Sequence, residues 1–114
     1  MDIKKLEKEV ELLHNHVCYA LSDQTRICIL YVLAEGGRFV NDIAELLDTP
    51  QSTISRHLRV LRERELVHTE RQGTAVCYSL ADARIIQALD LMREIVASRL
   101  AAEVDLAQSL NVGS

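Results

Sequence analysis

The stretch that decides the fold runs from Pro50 to Leu80 and reads PQSTISRHLRVLRERELVHTERQGTAVCYSL. Its first half carries Ile54, Leu58 and Leu61 at spacings of four and three, the period of an amphipathic helix. Its second half contains two β-prone runs on either side of Gln72-Gly73-Thr74, which predicts a hairpin whose glycine takes a turn position with positive φ. We therefore predict a helix followed by a two-stranded hairpin.

The residues before this stretch predict three further helices. Apolar residues recur at spacings of three and four through residues 3–20, which predicts a first helix there. Ser22-Asp23-Gln24 supplies an N-cap and a first-turn acid for a second helix that ends near Gly36-Gly37. A short third helix opens at Asn41-Asp42 and stops at Asp48-Thr49-Pro50. Thr49 as N-cap and Pro50 as first helical residue are predicted to start the fourth.

A long last helix is predicted after the hairpin, over residues 82–108, with Asp82 as its cap and a frayed tail from Asn111 onward. The predicted order is α-α-α-α-β-β-α, mainly helical with a small β-hairpin. At 114 residues the chain has the length of a single domain, which we predict to span 1–114.

The charge of the chain is segregated. The net charge of −4 by itself argues against nucleic acid as a partner. Residues 51–71, however, hold five arginines against three acids, whereas the rest of the chain holds eight basic residues against fourteen acidic ones. This distribution allows one face of the protein to bind DNA.

Two short helices joined by a tight turn and followed by a basic hairpin are the parts of a winged helix-turn-helix, with the helix-turn-helix at 41–65 and the wing at 66–80. A helix fits the major groove, where its first turns reach base edges and later arginines reach phosphates. The predicted contacts of the fourth helix are Gln51, Ser52, Thr53, Ser55, Arg56 and Arg59. In the wing, Arg71, Gln72 and Thr74 are predicted to lie along the neighbouring backbone or minor groove.

The chain resembles the ArsR/SmtB family of bacterial repressors over nearly its whole length. The resemblance is carried by ALSDQTRICIL at 20–30, DIAELL at 42–47, QSTISRHLRVLRERELV at 51–67 and RQGTAVCYSL at 71–80. In the family's motif His57 is a structural or DNA-proximal residue, and we include it among the predicted DNA contacts. Glu65 departs from the pattern, because the family usually ends this helix with glycine.

The resemblance implies a homodimer that pairs through its first and last helices, 3–20 and 82–108, and represses transcription from an inverted-repeat operator. The residues agree, because both terminal helices carry wider apolar faces than a domain of this size is expected to bury alone. Two-fold symmetry would place the two recognition helices about 34 Å apart, one turn of DNA.

Family members often release DNA when a metal binds, but two familiar sites lack their ligands here. Phe39-Val40-Asn41 stands where a Cys-x-Cys motif would be, and Arg84 stands where a last-helix site needs an imidazole. We therefore predict no cofactor. His14, His16 and Cys18 are borderline-soft ligands, and His14 with Cys18 shares one helical face that could hold zinc only with ligands from a partner subunit.

Thiol oxidation is the competing hypothesis for the release signal. Cys18 and Cys28 lie on helices joined by one short turn, so the two thiols could meet. The plainer interpretation is that Cys18 packs in the dimer interface and Cys28 in the core, since free cysteine is commonly buried.

Other functions are disfavoured by the sequence. His57 has no evident catalytic partner, because neighbouring helical residues do not face one another, so we do not expect an enzyme. An odd number of cysteines, no secretory signal and an apolar run broken by Asp23 and Arg26 predict a cytoplasmic protein without a membrane span. The alternative is a winged-helix module that binds protein rather than DNA, which the acids among the arginines would suit.

Overall fold

The computed structural model describes residues 1–112, which hold five α-helices, a π-helical segment and two strands. In chain order these are α1 (Ile3–Leu13), the π-helical segment (His14–Cys18), α2 (Gln24–Ala34), α3 (Val40–Leu46), α4 (Gln51–Glu63), β1 (Val67–Gln72), β2 (Ala75–Leu80) and α5 (Arg84–Val112). The two strands form an antiparallel hairpin. The predicted fold class, mainly helical with a winged helix-turn-helix order, is confirmed.

The chain divides into two compact units, one from Met1 to Ala83 and one that begins at Arg84 and consists of α5. The core of the first unit is built by α2, α3 and α4. Its completely buried large side chains are Ile29, Leu30, Ile43, Ile54, Leu58 and Leu61. Burying one such side chain stabilises a fold by about 1.5–3 kcal/mol. Because the three from α4 form its predicted apolar stripe, α4 is held from one side only.

The first helix is helical over the predicted residues 3–20, but it is not uniform. His14–Cys18 form a π-helical turn, in which the backbone N–H of Tyr19 donates to the carbonyl of His14, five residues earlier. No residue of α1 is buried, whereas Ala20 is completely buried. The regular α-helical period that the sequence predicted is therefore interrupted by one wider turn.

The turn between α3 and α4 differs from the prediction at Thr49. Pro50, not Thr49, is the N-cap of α4, and its carbonyl accepts from the N–H groups of Thr53 and Ile54. The Thr49 hydroxyl instead donates to the carbonyl of Leu47 at 2.9 Å. The Thr49 side chain therefore satisfies an orphan carbonyl at the end of α3, and the predicted cap is wrong by one residue.

Both helices of the helix-turn-helix end in a Schellman motif without glycine. At the end of α4, Leu66 N–H donates to Leu61 and Glu65 N–H to Arg62, with Glu65 at φ +63°. The end of α3 repeats the pattern with Asp48 at φ +48°. The helix therefore stops at Glu65 although the residue is not glycine, and Leu66 continues into the core, where it is 5% exposed.

The wing lies where the sequence predicted a hairpin, but Gln72, predicted as part of the turn, belongs to β1. Gln72 pairs with Ala75, so Gly73 and Thr74 form a two-residue loop, and Gly73 has φ +64° as expected for its turn. The wing is anchored by a bridge between Arg38 and Tyr78, whose backbones exchange hydrogen bonds of 2.9 and 2.8 Å. Gly37 lies so close to the wing that a Cβ there would come within 2.7 Å of Cys77 Sγ.

The last helix starts at Arg84, two residues after the predicted cap Asp82, and continues to Val112. It therefore includes Asn111, which was predicted to fray, while Gly113 and Ser114 lie outside the described residues. From Leu91 onward its large apolar side chains, including Ile95 and Leu100, are 50% or more exposed. Within residues 1–112, no helix combines the length and the apolar character that crossing a membrane requires.

Candidate nucleic-acid interface

The exposed side of α4 carries the predicted recognition residues. Opposite the buried stripe, the side chains that lie open to solvent are Gln51, Ser52, Ser55, Arg56 and Arg59. Gln51, Ser55 and Arg59 follow one another at four-residue spacing and therefore share a face. Thr53 is half-buried at the edge of this row. The result is one polar ridge that starts at the N-terminus of α4, where the helix dipole favours an anion.

The wing carries a second exposed group. Arg71, Gln72 and Thr74 are all open to solvent at the tip of the hairpin. The hairpin packs against α2, α3 and α4, and residues 70–75 around its turn are exposed. The side chains of Glu63, Glu65 and Glu70 are exposed as well, so the basic segment is not uniformly positive.

His57 lies apart from the ridge and faces inward. Its ring is 14% exposed, and Arg26 Nη1 lies 3.3 Å from its Nδ1. A guanidinium can only donate, so Nδ1 must accept, and in the neutral ring the proton belongs on Nε2. That nitrogen lies 3.9 Å from Asp23 Oδ1, which is too far for a hydrogen bond.

Asp23 joins this group to the start of α2. Its carboxylate accepts from the N–H of Thr25 at 2.8 Å and from the N–H of Arg26 at 3.4 Å, so within the predicted segment Ser22-Asp23-Gln24 the N-cap is Asp23. Partial burial acts to raise the pKa of Asp23, but these two N–H groups and the electrostatic attraction of the neighbouring His57 and Arg26 side chains outweigh it. The net pKa of Asp23 is therefore below its ordinary value, and the carboxylate stays ionised.

Sequence reasoning missed the roles of Arg26, Tyr19 and Arg64. Arg26 Nε donates to the carbonyl of Ala20 at 2.8 Å, and the guanidinium carbons of Arg26 and Arg64 lie over the Tyr19 ring. A charged residue at position 26 inside an otherwise apolar run was the available signal, since a cation among core residues needs partners. Position 64 gave no such signal among the other arginines.

The residues considered for sensing do not form a site within one chain. His14, Cys18 and Cys28 are exposed and His16 is half-buried. The prediction that Cys28 packs in the core is wrong, because Ile29, Leu30 and Leu33 take the inner side of α2. Both of these thiols are free, and residues 1–112 contain no cluster of three metal-binding side chains.

Comparison with known proteins identifies the family of this chain. Residues 23–69 match the family model described as bacterial regulatory protein, arsR family. An uncharacterized HTH-type transcriptional regulator of Methanocaldococcus jannaschii is 35% identical over 94 residues, which are 82% of this chain and all of that protein. The chain belongs to the ArsR family.

Solved structures of other proteins have the same fold as this ArsR-family chain. A homodimeric winged helix-turn-helix DNA-binding domain from Mycobacterium bovis, described as a possible ArsR-family transcriptional regulator, has a TM-score of 0.74 and 28% identity. The match covers 88% of this chain and 90% of that one. The transcriptional repressor BigR from Xylella fastidiosa has a TM-score of 0.71 and 28% identity, over 83% and 96% of the two chains. The chain is thus a winged helix-turn-helix transcriptional regulator.

Proposed function

We propose that this ArsR-family chain is a cytoplasmic, homodimeric repressor that binds an inverted-repeat operator through α4 and the wing. The observation that carries the proposal is the polar ridge of α4, which is exposed along one side while Ile54, Leu58 and Leu61 are completely buried on the other. A helix held rigidly from behind can present fixed side chains to the major groove.

Each part of the ridge has a proposed role. Gln51 can pair bidentately with adenine and Arg56 with guanine, and one such contact provides about 1–3 kcal/mol of base discrimination. Ser52, Thr53 and Ser55 read or abut neighbouring bases, and Arg59 binds a phosphate. Arg71, Gln72 and Thr74 of the wing bind the adjacent backbone or minor groove.

The same proposal assigns His57 a supporting role. Its inward ring and its contacts with Arg26 and Asp23 support a residue that orients α4 from behind rather than one that touches DNA. This assignment narrows the group of predicted DNA contacts to the residues of the ridge and the wing.

Dimerisation is proposed to use the apolar sides of α1 and α5. Large apolar side chains of α1 such as Val10 and Leu13, and of α5 such as Leu100, are about half exposed in the single chain. The homodimeric Mycobacterium bovis structure supports a second copy as the covering partner. A two-fold axis between the copies requires an operator with inverted half-sites. Any signal that binds one dimer arrangement better than the other would release the DNA.

The experiment is a binding titration of the purified protein by fluorescence anisotropy on a duplex enriched from a random-sequence library. We expect an inverted-repeat duplex to be enriched and Arg56→Ala to bind it about 5- to 150-fold more weakly, the range that 1–3 kcal/mol corresponds to. Lys8→Ala, which removes the same charge from α1, is the matched control. Equal binding by wild type, Arg56→Ala and Lys8→Ala would contradict the proposal.

The exposed acids Glu63, Glu65 and Glu70 beside the arginines favour a second candidate, a winged-helix module that binds protein. The same titration separates the two candidates. Protein that binds no duplex even at low salt supports the protein-binding module, because phosphate contacts alone would give measurable nonspecific affinity there.

A further inference from the structure

Arg64 lies at the C-cap of α4 and reaches back to the first helix of the chain. Its Nη1 donates to the carbonyl of Asn15 at 2.7 Å, across 49 positions of sequence. Asn15 belongs to the π-helical segment, the one turn of this helix whose hydrogen bonding departs from the α-helical pattern. The end of the recognition helix is thereby joined to that turn.

An aromatic ring completes this junction. The guanidinium carbon of Arg64 lies 4.5 Å from the centroid of the Tyr19 ring, close enough for a cation–π contact. A planar guanidinium can stack on the ring and donate to a carbonyl at the same time, whereas an ammonium cannot reproduce both. The Arg64 guanidinium therefore uses one N–H donor and one face for contacts within the protein.

A second arginine, Arg26 of α2, makes a similar junction with α4 at His57, about two helical turns before Arg64. Arg26 donates to the carbonyls of Ala20 and Tyr19 and contacts His57 of α4 through Nη1. Its guanidinium carbon lies 5.7 Å from the Tyr19 centroid. The Tyr19 ring is thus shared by two cations that lead to two points on α4, the middle at His57 and the end at Arg64.

We propose that Arg64 is a positioning residue, not a phosphate contact: with Tyr19 and the Asn15 carbonyl it fixes the C-terminal end of α4 against the first helix and so sets the angle at which α4 meets DNA. This inference rests on the proposed DNA binding. It separates Arg64 from Arg59 and Arg56, whose exposed side chains lie on the ridge. It also makes the first helix, a proposed dimerisation element, part of the mechanism that orients the recognition helix.

The test measures duplex affinity as a function of salt for Arg64→Ala, Arg64→Lys and Arg59→Ala. A lost phosphate contact lowers the slope of log affinity against log salt by about 0.9, which is expected for Arg59→Ala. We expect Arg64→Ala and Arg64→Lys to bind about tenfold more weakly with the wild-type slope, because lysine keeps the charge but not the stacked, donating plane. Wild-type affinity for Arg64→Lys, or a slope reduced as in Arg59→Ala, would overturn the inference.

A double-mutant cycle supplies a readout that a general loss of stability would not produce. Tyr19→Leu should weaken binding at least as much as Arg64→Ala, because the ring also contacts Arg26, and the double variant should bind no more weakly than Tyr19→Leu. Tyr19→Phe should bind within about twofold of wild type. Additive losses would overturn the inference, as would full affinity for Tyr19→Leu. Wild-type protein that binds no duplex would instead contradict the proposed function, whereas intact binding by Arg64→Ala alongside impaired Arg56→Ala would contradict only the role of Arg64.

Discussion

Glu65 holds a left-handed backbone conformation at the end of α4. An L-residue in the left-handed region costs about 1–2 kcal/mol, and Glu65 adopts φ +63° to close the Schellman motif of α4. Glycine adopts this conformation without steric cost but loses more chain entropy on folding. We expect Glu65→Gly to raise the free energy of unfolding by about 1 kcal/mol, measured by urea denaturation.

Asp48 provides the control for this prediction, because it occupies the same position at the end of α3 with φ +48°. Aspartate tolerates the left-handed region better than glutamate, since its short side chain can hydrogen-bond locally. Asp48→Gly should therefore gain less than Glu65→Gly. Destabilisation by Glu65→Gly would show that the Glu65 side chain itself stabilises the helix end.

The helix end at Glu65 could be located only in part from the sequence. The missing glycine marked the position as unusual but did not say whether the helix would continue through it. In the structure Leu66 is buried, and its N–H donates to the carbonyl of Leu61. The packing of Leu66 therefore enforces the helix end. The ridge residues were predictable because a single helical period separates them from a core stripe. The contacts of Arg26 and Arg64 were not, because they join segments far apart in sequence.

At the scale of one element, α2 depends on Asp23 at its start. Replacing such a cap by alanine costs about 1 kcal/mol, which we expect for Asp23→Ala near neutral pH. Because the pKa of Asp23 is lowered on folding, its charge contributes stability that is present above the unfolded pKa near 3.8. That contribution is lost as the pH falls through the lower folded value.

Asp23→Asn isolates this charge, since asparagine caps helices about as well as aspartate. Urea denaturation of wild type and Asp23→Asn between pH 7 and pH 2 should show a wild-type advantage that disappears at the acid end. The other carboxylates titrate in both proteins and cancel in the difference. An advantage that stayed constant over the whole range would contradict the lowered pKa.

The sequence predicted some secondary-structure elements more fully than others, and the reasons are physical. The hairpin and its turn glycine were predicted, since a glycine with positive φ between two β-prone runs favours a hairpin loop, but the strand register and the place of Gln72 in β1 were not. The π-helical segment was not predicted, because apolar residues continue at spacings of three and four through it. Thr49 was misassigned because either its hydroxyl or the Pro50 carbonyl can satisfy groups at that turn, and only the backbone conformation decides between them.

For the whole molecule, the exposed apolar side of α5 predicts association. Leu100 is 57% exposed, as are similar side chains along the helix, and a stripe of this length is unfavourable in water. We expect Leu100→Glu to convert a dimer to a monomer in size-exclusion chromatography with light scattering. Ser98→Glu adds the same charge two positions away, nearly opposite on the helix, and should leave the dimer intact. A dimer in both variants would place the interface elsewhere.

The wider turn at His14–Cys18 changes the rotational phase of the first helix between its two ends. Before it, the side chains of Ile3–Leu13 all face solvent, and just after it Ala20 is completely enclosed. One additional residue in a helix rotates everything beyond it by about 100°. A single helix can thereby present its apolar face to solvent at one end and to the core at the other. Deleting one residue from that turn would rotate residues 3–13 about the helix axis, so the same side chains would face a different direction.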